Sequence, residues 1–243
     1  MNNFYLYFNW FTLINLFILF AILFFRKNNS ITNKILALIV INPGLNFIDN
    51  ILIQSGYIYK VPFFLFIFQG TAQFYAPLVY AYVVLMMGQK FRWFSILNII
   101  TLLVILLDVY YGIEFYNMSD EEKYLYLKGL SSKDNYPFQM NVINGVFVVV
   151  MLAYFIVSIV KILRYCNIAK DYYSDIEKIK IRYLKNFVIL LIVLNISMTM
   201  AYLFSPTESV EYFYIPFFIN ITYVYIIYYA FRHSAILTET EYC

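Results

Sequence analysis

Polar side chains recur within stretches that are otherwise apolar, and they are of types that bind small polar ligands or ions. The second apolar stretch contains "NPGLNFIDN", in which Asn42, Asn46 and Asn50 fall four residues apart and Asp49 lies beside them. Side chains four residues apart share one face of an α-helix. Their amide and carboxylate groups would offer a ligand both hydrogen-bond donors and acceptors.

Two later stretches add groups of the same kind. Gln69 and Gln73 are again four residues apart, and Asp108 falls late in the fourth stretch. Polar groups inside a membrane are costly and usually face the interior of a helix bundle. We expect Asp49 to lie near Gln69 or Gln73. The predicted ligand-binding residues are Asn46, Asp49, Gln69, Gln73 and Asp108. The alternative is that these groups only hold helices together through hydrogen bonds.

Sequence patterns typical of catalysis are absent. There is no HExxH, GxSxG or P-loop pattern. His233 has no Cys or His at metal-ligand spacing, and Cys166 and Cys243 form no CxxC pair. We therefore expect no enzymatic activity, no cofactor and no bound metal.

The composition requires a membrane. Hydrophobic residues make up 63% of the 243 residues and charged residues 13%, with a mean hydropathy of +0.72. Soluble domains carry about 25% charged residues. Apolar stretches of about 20 residues are typical of spanning α-helices, whereas a barrel would show shorter alternating segments.

The sequence predicts an all-α, polytopic membrane protein that forms one seven-transmembrane-helix bundle over residues 1–243. No internal repeat or linker divides it. The predicted spans are 4–25, 35–55, 62–87, 94–113, 141–163, 186–205 and 214–231.

The distribution of Lys and Arg predicts the orientation. Of the 17 basic residues, four fall in one set of alternate connections and thirteen in the other. Basic residues concentrate on the cytoplasmic side. We therefore place the N-terminus outside and the C-terminus in the cytoplasm, as a multi-pass protein of the bacterial inner membrane. Because orientation accounts for the positive charge, we expect no direct nucleic-acid binding. The thirteen are Arg26, Lys27, Lys34, Lys90, Arg92, Lys161, Arg164, Lys170, Lys178, Lys180, Arg182, Lys185 and Arg232.

The charged segment "YSDIEKIKIRYLKN" (173–186) precedes the sixth span. Ser174 and Glu177 have the spacing of a capping box, which predicts a helix from about Asp175 into the membrane. Ile176, Ile179 and Tyr183 share one face of that helix. With Ser174, they are the predicted signal-relay residues. The alternative is an orientation signal whose basic side chains extend to the lipid headgroups.

The connection 114–140 repeats this pattern outside the membrane. Ser119 and Glu122 predict the start of a helix, and Gly129 predicts its end. This short helix is either a lid over a pocket or a shield for helix ends.

Two segments together resemble a known family. "APLVYAYVVLMM" (76–87) and the charged segment are similar to patterns in the seven-helix sensor domain of membrane-anchored AraC-type transcriptional regulators of Bacteroidetes, although Tyr183 stands where the family pattern has Trp. The resemblance implies signal transduction to a cytoplasmic helix-turn-helix domain. That domain would follow Cys243, so we expect either the sensor part of a longer protein or a relative that acts through a separate partner.

Three functions follow as hypotheses. The first is a receptor-like sensor that relays an external or intramembrane cue to a cytoplasmic, transcriptional output. The second is a non-enzymatic scaffold subunit of a larger membrane complex, and the third is a small-solute transporter. The expected partners are the lipid bilayer and a cytoplasmic or membrane protein. The sequence does not name the ligand.

Overall fold

The computed structural model describes residues 3–27, 29–61, 64, 69–92, 95–130, 138–168, 175–204 and 213–232, and no strand occurs among them. Eight α-helices make up most of this part of the chain, with short 3-10 segments at Tyr57–Tyr59 and Gln69–Phe74. The helices are α1 (Asn3–Phe24), α2 (Ile31–Gln54), α3 (Tyr75–Met86), α4 (Ile96–Asn117), α5 (Asp120–Leu130), α6 (Phe138–Ile168), α7 (Asp175–Phe204) and α8 (Ile215–Arg232).

Five helices are long and apolar enough to cross a membrane. They are α1, α2, α4, the Gly145–Cys166 part of α6 and the Ile181–Met198 part of α7. Large apolar side chains are exposed along all five, which fits contact with lipid. The chain is therefore a multi-pass membrane protein, helical throughout the part that the structure describes.

The third predicted span differs from the continuous helix expected over 62–87. Residues 62, 63 and 65–68 lie outside the described part, the 3-10 segment follows, and the α-helix begins only at Tyr75. Pro77 supplies a physical reason, because it lacks the N–H that an uninterrupted helix would need at this point. It falls in the first turn of α3, where no intrahelical donor is required.

Six helices, α3 among them, close into a ring. In the order α1, α2, α3, α6, α7 and α8, neighbouring helices pack on one another, and α8 packs back on α1. α4 lies outside this ring, against α6 and the 3-10 segment. The centre is apolar and includes the fully buried Val79 and Val83 of α3. Gly44 of α2 faces α1, since a Cβ there would be in ordinary van der Waals contact with the Leu16 side chain at 3.5 Å.

One predicted helix start, that of α5, is confirmed. α7 is described from Asp175, where the described residues resume after 168, and continues as one helix of 30 residues to Phe204. α5 begins at Asp120, directly after the predicted cap Ser119. It runs through Gly129 to Leu130, so Gly129 does not end it.

Candidate functional site

The polar face of α2 meets the 3-10 segment Gln69–Phe74. Asn42 Nδ2 donates a hydrogen bond of 2.6 Å to the Thr71 carbonyl, and Asn46 Nδ2 donates one of 3.2 Å to the Asn42 carbonyl. The first bond joins α2 to the 3-10 segment and supports the interpretation that Asn42 holds the bundle together, whereas the second stays within α2. Gln69 belongs to this segment, but its side chain lies outside the described part.

Asp108 of α4 approaches the same segment from the other side. A Cβ placed on Gly70 would lie 3.5 Å from Asp108 Oδ2. The carboxylate therefore occupies space beside the backbone of Gly70. Asp108 is half-buried and faces the 3-10 segment.

Asp49 lies further along α2. Its Oδ1 atom is buried and has no hydrogen-bond partner among the described residues. The carboxylate is close enough to the Tyr116 hydroxyl of α4 to interact with it electrostatically. The Asp49 side chain is half-buried, and its Oδ1 atom lies in the protein interior. No described contact joins it to Gln73.

Asp49 and Asp108 lie at different depths. Asn42 is at the level of Asp108, since both adjoin residues 70–71 of the 3-10 segment, and Asp49 is at the level of Tyr116. From the first level to the second, α2 advances by seven residues and α4 by eight. At 1.5 Å per residue the two levels are about 10–12 Å apart. The carboxylates therefore do not form an acid–base pair.

Gln73 lines a cleft that is separate from the surroundings of Asp49 and Asp108. Its side chain is buried, and its Oε1 atom accepts no hydrogen bond from the described residues. It lines a cleft of about 220 Å³, open mouth included, together with Pro77, Thr101 and Phe147. Among the described residues, neither Asp49 nor Asp108 lines this cleft. The predicted ligand-binding residues thus lie on one side of the bundle without sharing a single cavity.

α5 covers the end of the bundle beside Asp49. Tyr124 contacts Tyr59 with ring centroids 5.5 Å apart, and Tyr126 contacts Phe115 at 5.4 Å. Phe115 is buried, and its neighbour Tyr116 is the residue that interacts with Asp49. A movement of α5 would therefore reach Asp49 through two residues, Phe115 and Tyr116.

The start of α5 is held by the predicted capping box. Glu122 N–H donates to Ser119 Oγ at 3.3 Å, while the backbone N–H and the hydroxyl of Ser119 each donate to Glu122 Oε2 at 2.8 Å. The bonds from the Ser119 backbone and side chain hold the pKa of the Glu122 carboxyl below its ordinary value of 4.5.

Tyrosine contacts connect α7 to α3 and α8 near one end. Tyr183 is buried, its hydroxyl lies 3.3 Å from that of Tyr82, and its ring stacks on Tyr229 at 5.6 Å. The predicted relay residue Tyr183 therefore contacts two other helices of the bundle. Ser174 lies outside the described residues, as do the side chains of Ile176 and Ile179.

A second set of contacts joins the same helices about twelve residues further along α7. The Tyr223 hydroxyl of α8 donates to that of Tyr75 of α3 at 2.9 Å. Tyr75 also bonds to the Asn195 side chain of α7. α7 is thus fastened to the same two helices at two depths.

Sequence reasoning missed a polar network between the first and last helices. Asn15 Nδ2 donates to Asn220 Oδ1 at 2.6 Å, and Asn220 Nδ2 donates to Thr12 Oγ1 at 2.7 Å. Thr12 and Asn15 are three residues apart in the first apolar stretch. That spacing was the available signal, since it places both on one face of α1.

Comparisons with known proteins give no match to a family model, a curated protein or a solved structure. Any function must therefore be argued from the geometry described above.

Proposed function

We propose that the chain is a seven-helix sensor of the bacterial inner membrane that detects a cue near Asp49 and relays it to a cytoplasmic, transcriptional output. The observation that carries the proposal is α7, a continuous helix of 30 residues with tyrosine contacts at two depths. A rigid helix fastened in this way transmits displacement from one end of the bundle to the other. The resemblance to membrane-anchored AraC-type regulators supports the same function.

Two lengths support seven spans rather than five. The 3-10 segment of six residues and α3 of 12 residues together reach about 30 Å, the thickness of the hydrocarbon core. α8 has 18 residues and reaches about 27 Å. Adding these two segments to the five longer helices gives seven spans.

The charge distribution supports a cytoplasmic C-terminus. Four carboxylate side chains are described, Asp49, Asp108, Glu121 and Glu122, and all belong to the second halves of α2 and α4 or to α5. α1 ends with Arg26 and Lys27 following it, at the opposite side. With the excess of basic residues inside, α5 lies outside and α8 ends in the cytoplasm.

The proposed sensing site combines an unpaired carboxylate oxygen with a movable cover. Asp49 Oδ1 has no described partner, and α5 contacts this end of the bundle through the ring of the exposed Tyr124 and that of the half-buried Tyr126. A ligand that donates to Asp49 would change how α5 and the end of α4 pack. The cue that acts there is a polar or cationic solute, or a change of the bilayer itself.

A scaffold subunit is the second candidate. The network of Thr12, Asn15 and Asn220 favours it, because this network fixes the first helix to the last and resists rearrangement. A stoichiometric membrane complex that survives mild detergent extraction, and whose other subunits are lost when this chain is deleted, would support the scaffold. A small-solute transporter is the third hypothesis, for which the 3-10 break at membrane depth is the relevant feature.

Transcript profiles of the native host provide the test of the sensor. Ile179→Pro breaks α7 before its apolar part, so this variant should reproduce the transcript changes of a deletion strain while the protein still inserts. The matched control is Ile189→Ala, a lipid-exposed position on the same helix, which should leave the transcripts at wild-type levels. A deletion strain with an unchanged profile, or normal output from Ile179→Pro, would refute the proposal.

The orientation has a separate test. A reporter that is active only in the cytoplasm should be active when fused after Cys243, and a periplasmic reporter fused there should be silent. A membrane-impermeant label should reach a cysteine placed at Glu121, which is exposed on α5. The opposite pattern would reverse the assigned orientation.

A further inference from the structure

One end of the bundle carries an excess of positive charge. It comprises the end of α1, the start of α2, the end of α3, the start of α4, the end of α6 and the start of α7, and we call it the basic end. No described carboxylate side chain lies there. Its described basic side chains are Arg26, Lys27, Lys34, Lys90, Arg92, Lys161, Arg164, Arg182 and Lys185.

Arg26 differs from the other basic residues in its surroundings. Its guanidinium carbon lies 5.7 Å from the centroid of the Phe231 ring at the end of α8, within the range of a cation–π contact. Its Nη1 atom is buried and donates no hydrogen bond to any described residue. The side chain as a whole is half-buried, so the guanidinium has lost part of its hydration without gaining an acceptor. Such a charge is costly, and an anion outside the chain that accepts from its other N–H groups, Nε and Nη2, would stabilise it.

The local acceptors are largely in use. Asn29 Nδ2 donates to the carbonyls of Leu23 and Phe24 at 2.8 and 2.7 Å, which satisfies the end of α1. Ser30 Oγ accepts from the Asn33 N–H at 3.2 Å and pairs with Thr32 Oγ1. Asn29 Oδ1 is buried and unpaired among the described residues, but a neutral amide cannot balance the charge of Arg26.

The surface around Arg26 is apolar. Phe25 and Ile31, on either side of the connection between α1 and α2, are 76% and 60% exposed. Phe231 is also exposed. A guanidinium therefore lies among apolar side chains that contact acyl chains readily, which is the arrangement expected for a lipid rather than for a soluble anion.

We propose that Arg26 binds the phosphate group of an anionic phospholipid between the α1–α2 connection and the end of α8. The guanidinium donates two hydrogen bonds to phosphate oxygens, a geometry that lysine cannot provide. Phe231 supports the guanidinium from one side, and Phe25 and Ile31 contact the acyl chains. Asn29 Oδ1 accepts a hydrogen bond from a headgroup hydroxyl, as in phosphatidylglycerol. This site does not depend on the proposed sensing function.

The test measures the thermal stability of the full chain in a neutral detergent during titration with lipid. Phosphatidylglycerol, phosphatidylcholine and inorganic phosphate are the three additives. Phosphatidylglycerol should raise the Tm of the wild type, and the other two should not. Arg26→Gln should require about tenfold more phosphatidylglycerol for half of the effect, the loss expected for a charge-assisted hydrogen bond. Lys27→Gln, which removes an exposed charge from the next residue, should shift the midpoint by no more than about twofold.

Four results would overturn the proposal. Arg26→Gln titrates like the wild type; Lys27→Gln shifts as far as Arg26→Gln; inorganic phosphate is as effective as the lipid; or phosphatidylcholine is as effective as phosphatidylglycerol. If Arg26→Gln does not fold, the same lipid titration of Arg26→Lys tests the proposal instead. This variant keeps the charge but loses the paired donors, so its midpoint should also rise, and a wild-type midpoint would refute the site.

Discussion

Two polar regions of this bundle are built in opposite ways. Between α1 and α8, Thr12, Asn15 and Asn220 hydrogen-bond to one another, and we call them the closed network. On α2 and the 3-10 segment, Asp49 Oδ1 and Gln73 Oε1 are buried without a described partner, and we call these two residues the open polar face. Both regions lie in helices that face lipid on their other side.

This difference distinguishes polar groups that stabilise the fold from polar groups that remain available to a ligand. A polar group in a membrane is stabilised once its hydrogen bonds are made inside the protein, and the closed network meets this condition. A buried polar atom without a partner lowers stability, and such atoms often occur where a ligand binds. We therefore expect substitutions in the closed network to affect folding, and substitutions in the open polar face to affect response.

The largest effect is expected for Asn220→Leu. This change leaves Asn15 and Thr12 without their partner on α8, and should lower the free energy of unfolding by about 1–2 kcal/mol, the range of interhelical hydrogen bonds in membranes. A denaturation series in mixed micelles measures it. Asn50→Leu on α2 is the matched control, because no side-chain hydrogen bond of Asn50 is found among the described residues. Equal losses from the two changes would mean that the closed network is not special.

A smaller effect on stability, with a larger one on response, is expected for Asp49→Asn. The shape of the side chain is kept and no described hydrogen bond is lost, so the free energy of unfolding should stay within about 0.5 kcal/mol of the wild type. Transcript output should nevertheless move toward that of the deletion strain. A loss of stability with normal output would place Asp49 with the closed network.

The sequence predicts those features of this fold that depend on neighbouring residues. The start of α5 follows from local capping chemistry, and four of the five long helices begin within a few residues of the predicted spans. The 3-10 segment was not foreseen, although Pro77 and Gly70 both disfavour a continuous helix there. Local sequence rules identify the residues that interrupt the helix, but they do not predict the 3-10 geometry that replaces it.

The sites were harder to predict because they depend on which helix faces meet. Asn220 bonds to residues more than 200 positions away, and nothing in its own stretch identifies them. Asp49 and Asp108 were both expected near the ligand, yet their levels differ because the register between α2 and α4 places Tyr116, not Asp108, beside Asp49. Tyr183 was expected on a relay face; its burial against Tyr82 and Tyr229 depends on how α3 and α8 pack.

The smallest expected effect concerns α5, the cover of the open polar face. Because its hydrogen bonds to Ser119 hold the pKa of Glu122 below 4.5 in the folded state, the ionised carboxylate stabilises the start of α5. This contribution is complete above the ordinary pKa, and is lost as the pH falls through the lowered pKa. The protection of the first-turn amides of α5 against hydrogen exchange, relative to the intrinsic exchange rate at each pH, should therefore fall only below about pH 4.5. Glu122→Gln should abolish this pH dependence, whereas Glu121→Gln, at an exposed neighbouring residue, should retain it. If both variants keep the wild-type profile, the capping box does not hold α5 in place, and movement of α5 toward Asp49 would need another cause.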